Sequence, residues 1–271
     1  MNACKEGAKF QYPDSCICYA GTIRCLLGLE YRQIQGFLAG LNQFVKLPVP
    51  YYTTIQRRFN KLPTELHIKP KKRGEPFWVA IDASGICVTN RGEWMRKIHR
   101  KGKIDECKGF VKLHISIDVK TKELVSMEIT TDKTGDNTMF DAVLFGAIHN
   151  TGNSITKVFA DGAYDTENNF EKLTKIGIEP IIPIDSNADT KPPPDKFIQR
   201  RRGEPIRRQH ARMQLADPKK WRKDNQYGLR WIAEMFFSVF KGRHGDYVQT
   251  KTFSNMQHEL LFKAGLYNQL L

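Results

Sequence analysis

The sequence predicts an α/β protein: a mixed sheet flanked by helices, with a small all-helical unit at residues 1–70 and a basic insertion at about 185–224 before the last major helix. Three observations predict it. Residues 77–89 are rich in strand formers, and 110–119 and 124–131 alternate apolar and polar side chains, as half-buried strands do. Helical and strand patterns alternate from residue 138 to 183. Before residue 70 only helical periodicity is present.

The chain has 271 residues, 40% of them hydrophobic, enough for a buried core and too many for a disordered chain. Its net charge of +14 suits an acidic partner such as nucleic acid, or simply a basic protein. Six cysteines form no CxxC pair and no disulfide framework, so reduced thiols in a cytosolic protein are expected. No leader pattern opens the chain, and no apolar run approaches the roughly 18 residues of a membrane span.

In the first unit, residues 16–29 and 31–45 read as helices, the second from Ile34, Phe37, Leu38 and Leu41 at helical spacing. The prolines at 48 and 50 break the pattern. A short helix at 53–60 follows, with Thr53 or Thr54 as its cap. This is the outline of a helix-turn-helix-like DNA reader, with Gln56, Arg57 and Arg58 as contacting side chains, or of a bundle that only supports the rest. A Pro-bounded basic linker at 69–76 marks the boundary to a second domain, 71–271.

The second unit places Asp82 in the middle of an apolar run, where a carboxylate is costly unless paired or metal-bound, although a strand-edge Asp facing water reads the same way. The basic stretch 91–108 is either a DNA-facing excursion or a solvated loop. Strands 110–119 and 124–131 form a hairpin whose turn holds Asp118, which we reject as a ligand. Asp136 or Asn137 is the expected cap of a helix over 138–148. A strand then ends in Asp161-Gly-Ala-Tyr-Asp165, at a strand C-terminus where ligands collect in α/β sheets. Asp165 is expected to cap a helix over 166–175, and 178–183 to add a short strand. The insertion 185–224 is rich in Arg and Lys and too poor in apolar residues to build its own core. Residues 256–271 read as an amphipathic helix closing the sheet.

Residues 227–241 read as a helix. At roughly 100° per residue, Tyr227, Arg230, Glu234 and Lys241 share one arc, beside an apolar arc of Ile232, Met235, Phe236, Val239 and Phe240. Such a polar face is either solvated surface or a site for a metal and a phosphate together.

The order Tyr-x2-Arg-x3-Glu-x6-Lys, together with the Asp161-Gly-Ala-Tyr block, resembles the DDE-class insertion-sequence transposases that carry the Tyr-Arg-Glu-Lys signature, the insertion sequence four and five group. The resemblance implies a ribonuclease-H-like sheet with Asp82 on its first strand. It implies a catalytic triad of Asp82, Asp161 and Glu234 that binds Mg2+, or Mn2+ in its place. It further implies cleavage of element ends and joining of their 3′ hydroxyls to target DNA, with Tyr227, Arg230 and Lys241 binding phosphate. The expected partner is double-stranded DNA, bound by a homodimer in the prokaryotic cytoplasm at the nucleoid, with no membrane. The alternatives are a metal-dependent nuclease of the same fold and an inactive transposase-derived DNA-binding protein.

Overall fold

The computed structural model describes residues 11–71, 75–88, 110–188 and 205–271. The basic stretch 91–108 and the first part of the insertion lie outside the described residues. The chain divides into two compact units, Met1–His67 with Val239–Leu270, and Ile68–Ser238.

The helical unit contains α1 (Asp14–Leu27), α2 (Tyr31–Leu41) and α3 (Tyr52–Phe59). α1 stops at Gly28, whose φ of 66° is a left-handed conformation that glycine takes without strain. A capping box opens α2: Gln33 Oε1 accepts the Glu30 N–H at 2.8 Å. α3 opens without the threonine cap expected for it. Gln35 on α2 supplies the acceptor instead, 2.9 Å from the Tyr52 N–H. One apolar cluster joins Ala20 and Ile23 of α1 to Ile34 and Leu38 of α2 and Ile55 of α3.

The last helix belongs to this unit, where the sequence reading had it closing the sheet. Here it is α9 (Phe253–Gln269), following α8 (Trp231–His244), which runs through the boundary between the units. Phe262 of α9 meets the Phe59 ring edge-on, with centroids 4.8 Å apart, and Ile17, Cys25 and Leu266 complete that cluster. Each such buried side chain contributes about 1.5–3 kcal/mol. Gly265 sits so close to the chain that an added Cβ would lie 2.4 Å from the Glu65 carbonyl oxygen.

The sheet unit holds β1 (Phe77–Cys87), β2 (Phe110–Asp118), β3 (Leu124–Thr131), α4 (Phe140–Thr151), β4 (Ile155–Phe159), α5 (Glu167–Lys175) and β5 (Glu179–Ile181). Strand order is β3-β2-β1-β4-β5. β1, β2 and β3 pair antiparallel, and β4 and β5 run parallel to β1. This mixed five-stranded sheet flanked by helices is a ribonuclease-H-like fold, as expected.

Alternation sorts β1 into two faces. Phe77, Val79 and Ile81 point into a core with Val158 and Ala160 and with Phe140, Val143 and Leu144 of α4. Trp78, Ala80 and Asp82 point the other way. In the β2–β3 turn, Asp118 is wholly buried, 2.8 Å from Lys71 Nζ, and accepts the Trp78 and Thr121 N–H groups. It is a structural knot, as its rejection as a ligand implied.

Three local expectations change. Gly135 precedes a 3-10 turn (Asp136–Met139) without a side-chain cap. Asp136 pairs with Lys112 and Asn137 accepts from Asn169, so neither caps the helix. Thr166, not Asp165, caps α5. The second half of the insertion is helical, forming α6 (Ile206–Ala216) and α7 (Pro218–Asp224). It borrows a core: Ala211 joins the sheet cluster, and Gln214 accepts the Ile184 N–H at 3.1 Å.

Candidate active site

The sheet register brings the first two carboxylates together. Ala80 of β1 pairs in parallel with Phe159 of β4, so Asp82 and Asp161, each two residues further on, lie on one face of neighbouring strands. Asp82 Oδ1 accepts the Ala83 N–H at 2.8 Å, and Asp161 Oδ1 accepts the Gly162 N–H at 2.6 Å. Asp161 is exposed at the strand end, where the chain enters a 3-10 turn (Gly162–Tyr164).

The third carboxylate arrives on a helix that begins later than expected. Tyr227–Arg230 is a separate 3-10 turn after Gln226, whose φ is 52°. α8 starts at Trp231. The turn tightens the spacing at its end and swings Arg230 across the sheet edge. One guanidinium nitrogen lies 3.3 Å from Asp82 Oδ2, and the other is hydrogen-bonded to Glu234 Oε1. Arg230 thus bridges the first and third acidic residues. Ile232, Phe236 and Phe240 are buried as expected, while Val239 is exposed and Phe237 buried in its stead. Lys241 lies on the segment of α8 that belongs to the helical unit.

The electrostatics follow from this crowding. Burial raises the Asp82 pKa, the Ala83 N–H and Arg230 oppose the rise, and the charges of Asp161 and Glu234 add to it. Asp82 therefore senses both of the other carboxylates. Burial works against the Arg230 charge, but Tyr227, Asp82, Glu234 and Asp161 outweigh it and raise its pKa. Tyr227 is pushed up by burial, Arg230 opposing, and stacks near Trp221 with centroids 5.7 Å apart. Buried Tyr164 lies within the field of Asp82 and Asp161 and keeps its proton.

The donor set, carboxylate oxygen throughout, has the chemistry that Mg2+ prefers. As the side chains stand, no group of three acidic, His or Cys residues among the described residues is drawn together tightly enough to hold a metal ion. The guanidinium of Arg230 lies between Asp82 and Glu234 and pairs with both. By their chemistry these donors fit such an ion.

Sequence reasoning missed the support beneath Asp161. Arg207 of α6 forks onto Asp165, Nε to Oδ1 at 2.6 Å and Nη2 to Oδ2 at 2.5 Å. Asn169 donates to the Tyr164 carbonyl at 2.8 Å and to Asn137. No local pattern pairs residues so far apart in the chain.

In the helical unit, Gln56 and Arg57 are exposed, as a contacting role needs. Arg58 is a correction. It is buried, donates to the Tyr12 carbonyl and pairs with Asp14 at 2.5 Å, so it anchors α3 and does not face solvent. Among the described residues, no helix is long and apolar enough to cross a membrane.

The family model described as Transposase DDE domain matches residues 78–269, and a second model with the same description matches residues 1–91. Among solved structures, the chain is similar to one of the Drosophila P element transposase strand transfer complex (12% identity, TM-score 0.39, covering 98% of this chain). It is also similar to one of the simian T-cell lymphotropic virus intasome in complex with PP2A regulatory subunit B56 gamma (11% identity, TM-score 0.34, covering 89% of this chain). In both cases the match covers 66% of the other chain's length.

Proposed function

The chain belongs to the transposase DDE-domain family, and on that premise we propose that it is a transposase of the Tyr-Arg-Glu-Lys group that cuts the ends of an insertion sequence and joins their 3′ hydroxyls to target DNA. The observation that carries this reading is Arg230, held by Asp82 at 3.3 Å and by Glu234, on the sheet face that also presents Asp161. A bare acidic site would repel a DNA strand. One with an arginine in its centre can receive a phosphate.

Asp82, Asp161 and Glu234 would hold Mg2+, or Mn2+ in its place, which supplies activation of the attacking oxygen and stabilisation of the leaving 3′ oxygen in line across phosphorus. Arg230, released from the carboxylates, forks onto phosphate oxygens, a task its planar guanidinium performs better than a lysine would. Lys241 adds a point charge for the strand. Tyr227 offers a hydroxyl to a phosphate or a ring to a base. Tyr164 stays protonated beneath the site, so it adds no charge to an already acidic group. Water as nucleophile frees the 3′ hydroxyl, and that hydroxyl attacks target DNA in the same site.

Gln56 and Arg57 would contact the element ends. Holding two ends at once calls for a homodimer on double-stranded DNA. Supercoiled plasmid carrying the terminal repeats, incubated with the chain or with Asp161→Asn in Mg2+, Mn2+ or chelator, tests the reading. Metal-dependent 3′ cleavage and joining, lost in the variant, is the expected outcome. Cleavage without joining would make it a nuclease; DNA binding without cleavage, alike in both proteins, would make it a DNA-binding protein.

A further inference from the structure

The helical unit contains a buried group of charges that does not balance. Arg24 on α1 and Lys263 on α9 are both almost wholly buried and share one carboxylate, Glu259. Lys263 Nζ takes Glu259 Oε1 at 2.8 Å, and Gln249 and Thr250 donate their N–H groups to the same carboxylate. Arg24 is left with a contact of 3.9 Å, beyond hydrogen-bond distance, and with the Tyr31 ring face at 4.5 Å. Its Nε and Nη1 are buried and bond to nothing. One surplus positive charge therefore sits inside the unit, where an uncompensated cation is strongly disfavoured.

Beside this group lies a cavity of about 210 Å³ lined by Arg24, Lys263, His244 and Arg243. His244 Nδ1 meets the Cys25 carbonyl at 3.3 Å, which makes it the ring's donor, and Nε2 is buried without a partner. Two carbonyls at this end of the chain are already engaged: that of Cys25 faces His244, and that of Gly28 accepts from Gln249 Nε2 at 2.9 Å. Exposed Arg243 stands at the mouth.

We propose that this cavity is a second anion site, separate from the three carboxylates, that takes one phosphate-class oxyanion. The buried surplus charge of Arg24 attracts the anion, exposed Arg243 closes over it, and His244 stands beside it in the cavity wall. The same chemistry serves free phosphate and a terminal phosphate on a nucleic acid strand.

The test uses the full chain, titrated calorimetrically with inorganic phosphate at constant ionic strength set by chloride. One saturable site is expected, with affinity about tenfold weaker in Arg243→Gln, whose side chain is exposed and whose loss leaves the core intact. Arg24→Met should abolish binding; if that variant fails to fold, Arg243→Gln still decides. A 5′-phosphorylated dinucleotide that competes with phosphate, where the unphosphorylated one does not, identifies a strand end as the source. Phosphate binding without that competition identifies free phosphate. Absence of saturable binding, meaning a cavity filled by water alone, overturns the proposal, as does equal affinity in the wild type and Arg243→Gln. Asp161→Asn should bind phosphate as the wild type does, so failure of the catalytic reading and failure of this one are separable.

Discussion

Arg230 lies 3.3 Å from Asp82, a residue 148 positions earlier in the chain, and together they join a 3-10 turn to the first strand. Arg230→Gln removes the brace and, on the proposed function, the phosphate fork. Cleavage of terminal-repeat plasmid should fall by about 10²–10³. Thermal stability in chelator should fall too, because Asp82, Asp161 and Glu234 lose their internal counterion. Mg2+ should then restore more stability to the variant than to the wild type in a melting assay. Equal Mg2+ effects on both would mean that Arg230 does not stand in for a cation.

Arg57 and Arg58 are neighbours with opposite prospects. Arg57→Ala should weaken DNA binding and lower the slope of affinity against salt by about one, with the melting temperature unchanged. Arg58→Ala should destabilise by about 2 kcal/mol, since the Tyr12 carbonyl and Asp14 lose their donor. Salt-dependent binding and denaturant melts on the same two variants would separate the roles, and reversed effects would refute them.

Acid should weaken the helical unit. Burial opposes the Glu259 charge, but Lys263, Arg24 and the Gln249 N–H outweigh it and hold the pKa below the usual 4.5. Burial lowers the His244 and His258 pKa below 6.5. In all three cases the unfolded chain takes up protons first, so stability is lost as pH falls. The decline should start near 6.5 with the histidines and steepen below 4.5 with Glu259. Denaturant midpoints at pH 7.5, 5.5 and 4 would trace it, and Glu259→Gln should flatten the lower limb. A flat profile in the wild type would contradict the assignment.

Gly265→Ala should cost about 2 kcal/mol or more, because its methyl would meet a backbone carbonyl at 2.4 Å and backbone cannot turn aside. Gly36→Ala, with open space around it, should be neutral or mildly stabilising. Denaturant melts of the two variants check this contrast.

The sheet was legible because strand patterning is a local signal, whereas Asp82 in its apolar run and Asp161 at its strand end were singled out by the resemblance and not by the pattern alone. Glu234 was legible through its spacing. The 3-10 turn before it was not, since Tyr227 and Arg230 keep helical intervals whether the backbone is α or 3-10. Nor could the sequence separate Arg57 from Arg58, because burial of Arg58 depends on Tyr12 and Asp14, more than forty positions away. The last helix was misassigned for the same reason. Its apolar side fits a sheet or a bundle equally, and the choice is made by Phe59, Cys25 and Ile17.

The buried Lys71–Asp118 pair bears on how long the first crossing between the units really is. The basic linker reads as a slack tether from Lys69 to Pro76, yet the Lys69 N–H is held by Glu123 at 3.2 Å, and Lys71 by Asp118 and by the Phe77 ring at 4.0 Å. The leash therefore ends almost where it begins, at His67 and Ile68. A spacer inserted after Lys71 would leave the anchors at Lys69 and Lys71 in place. The same spacer after His67 would lengthen the leash itself.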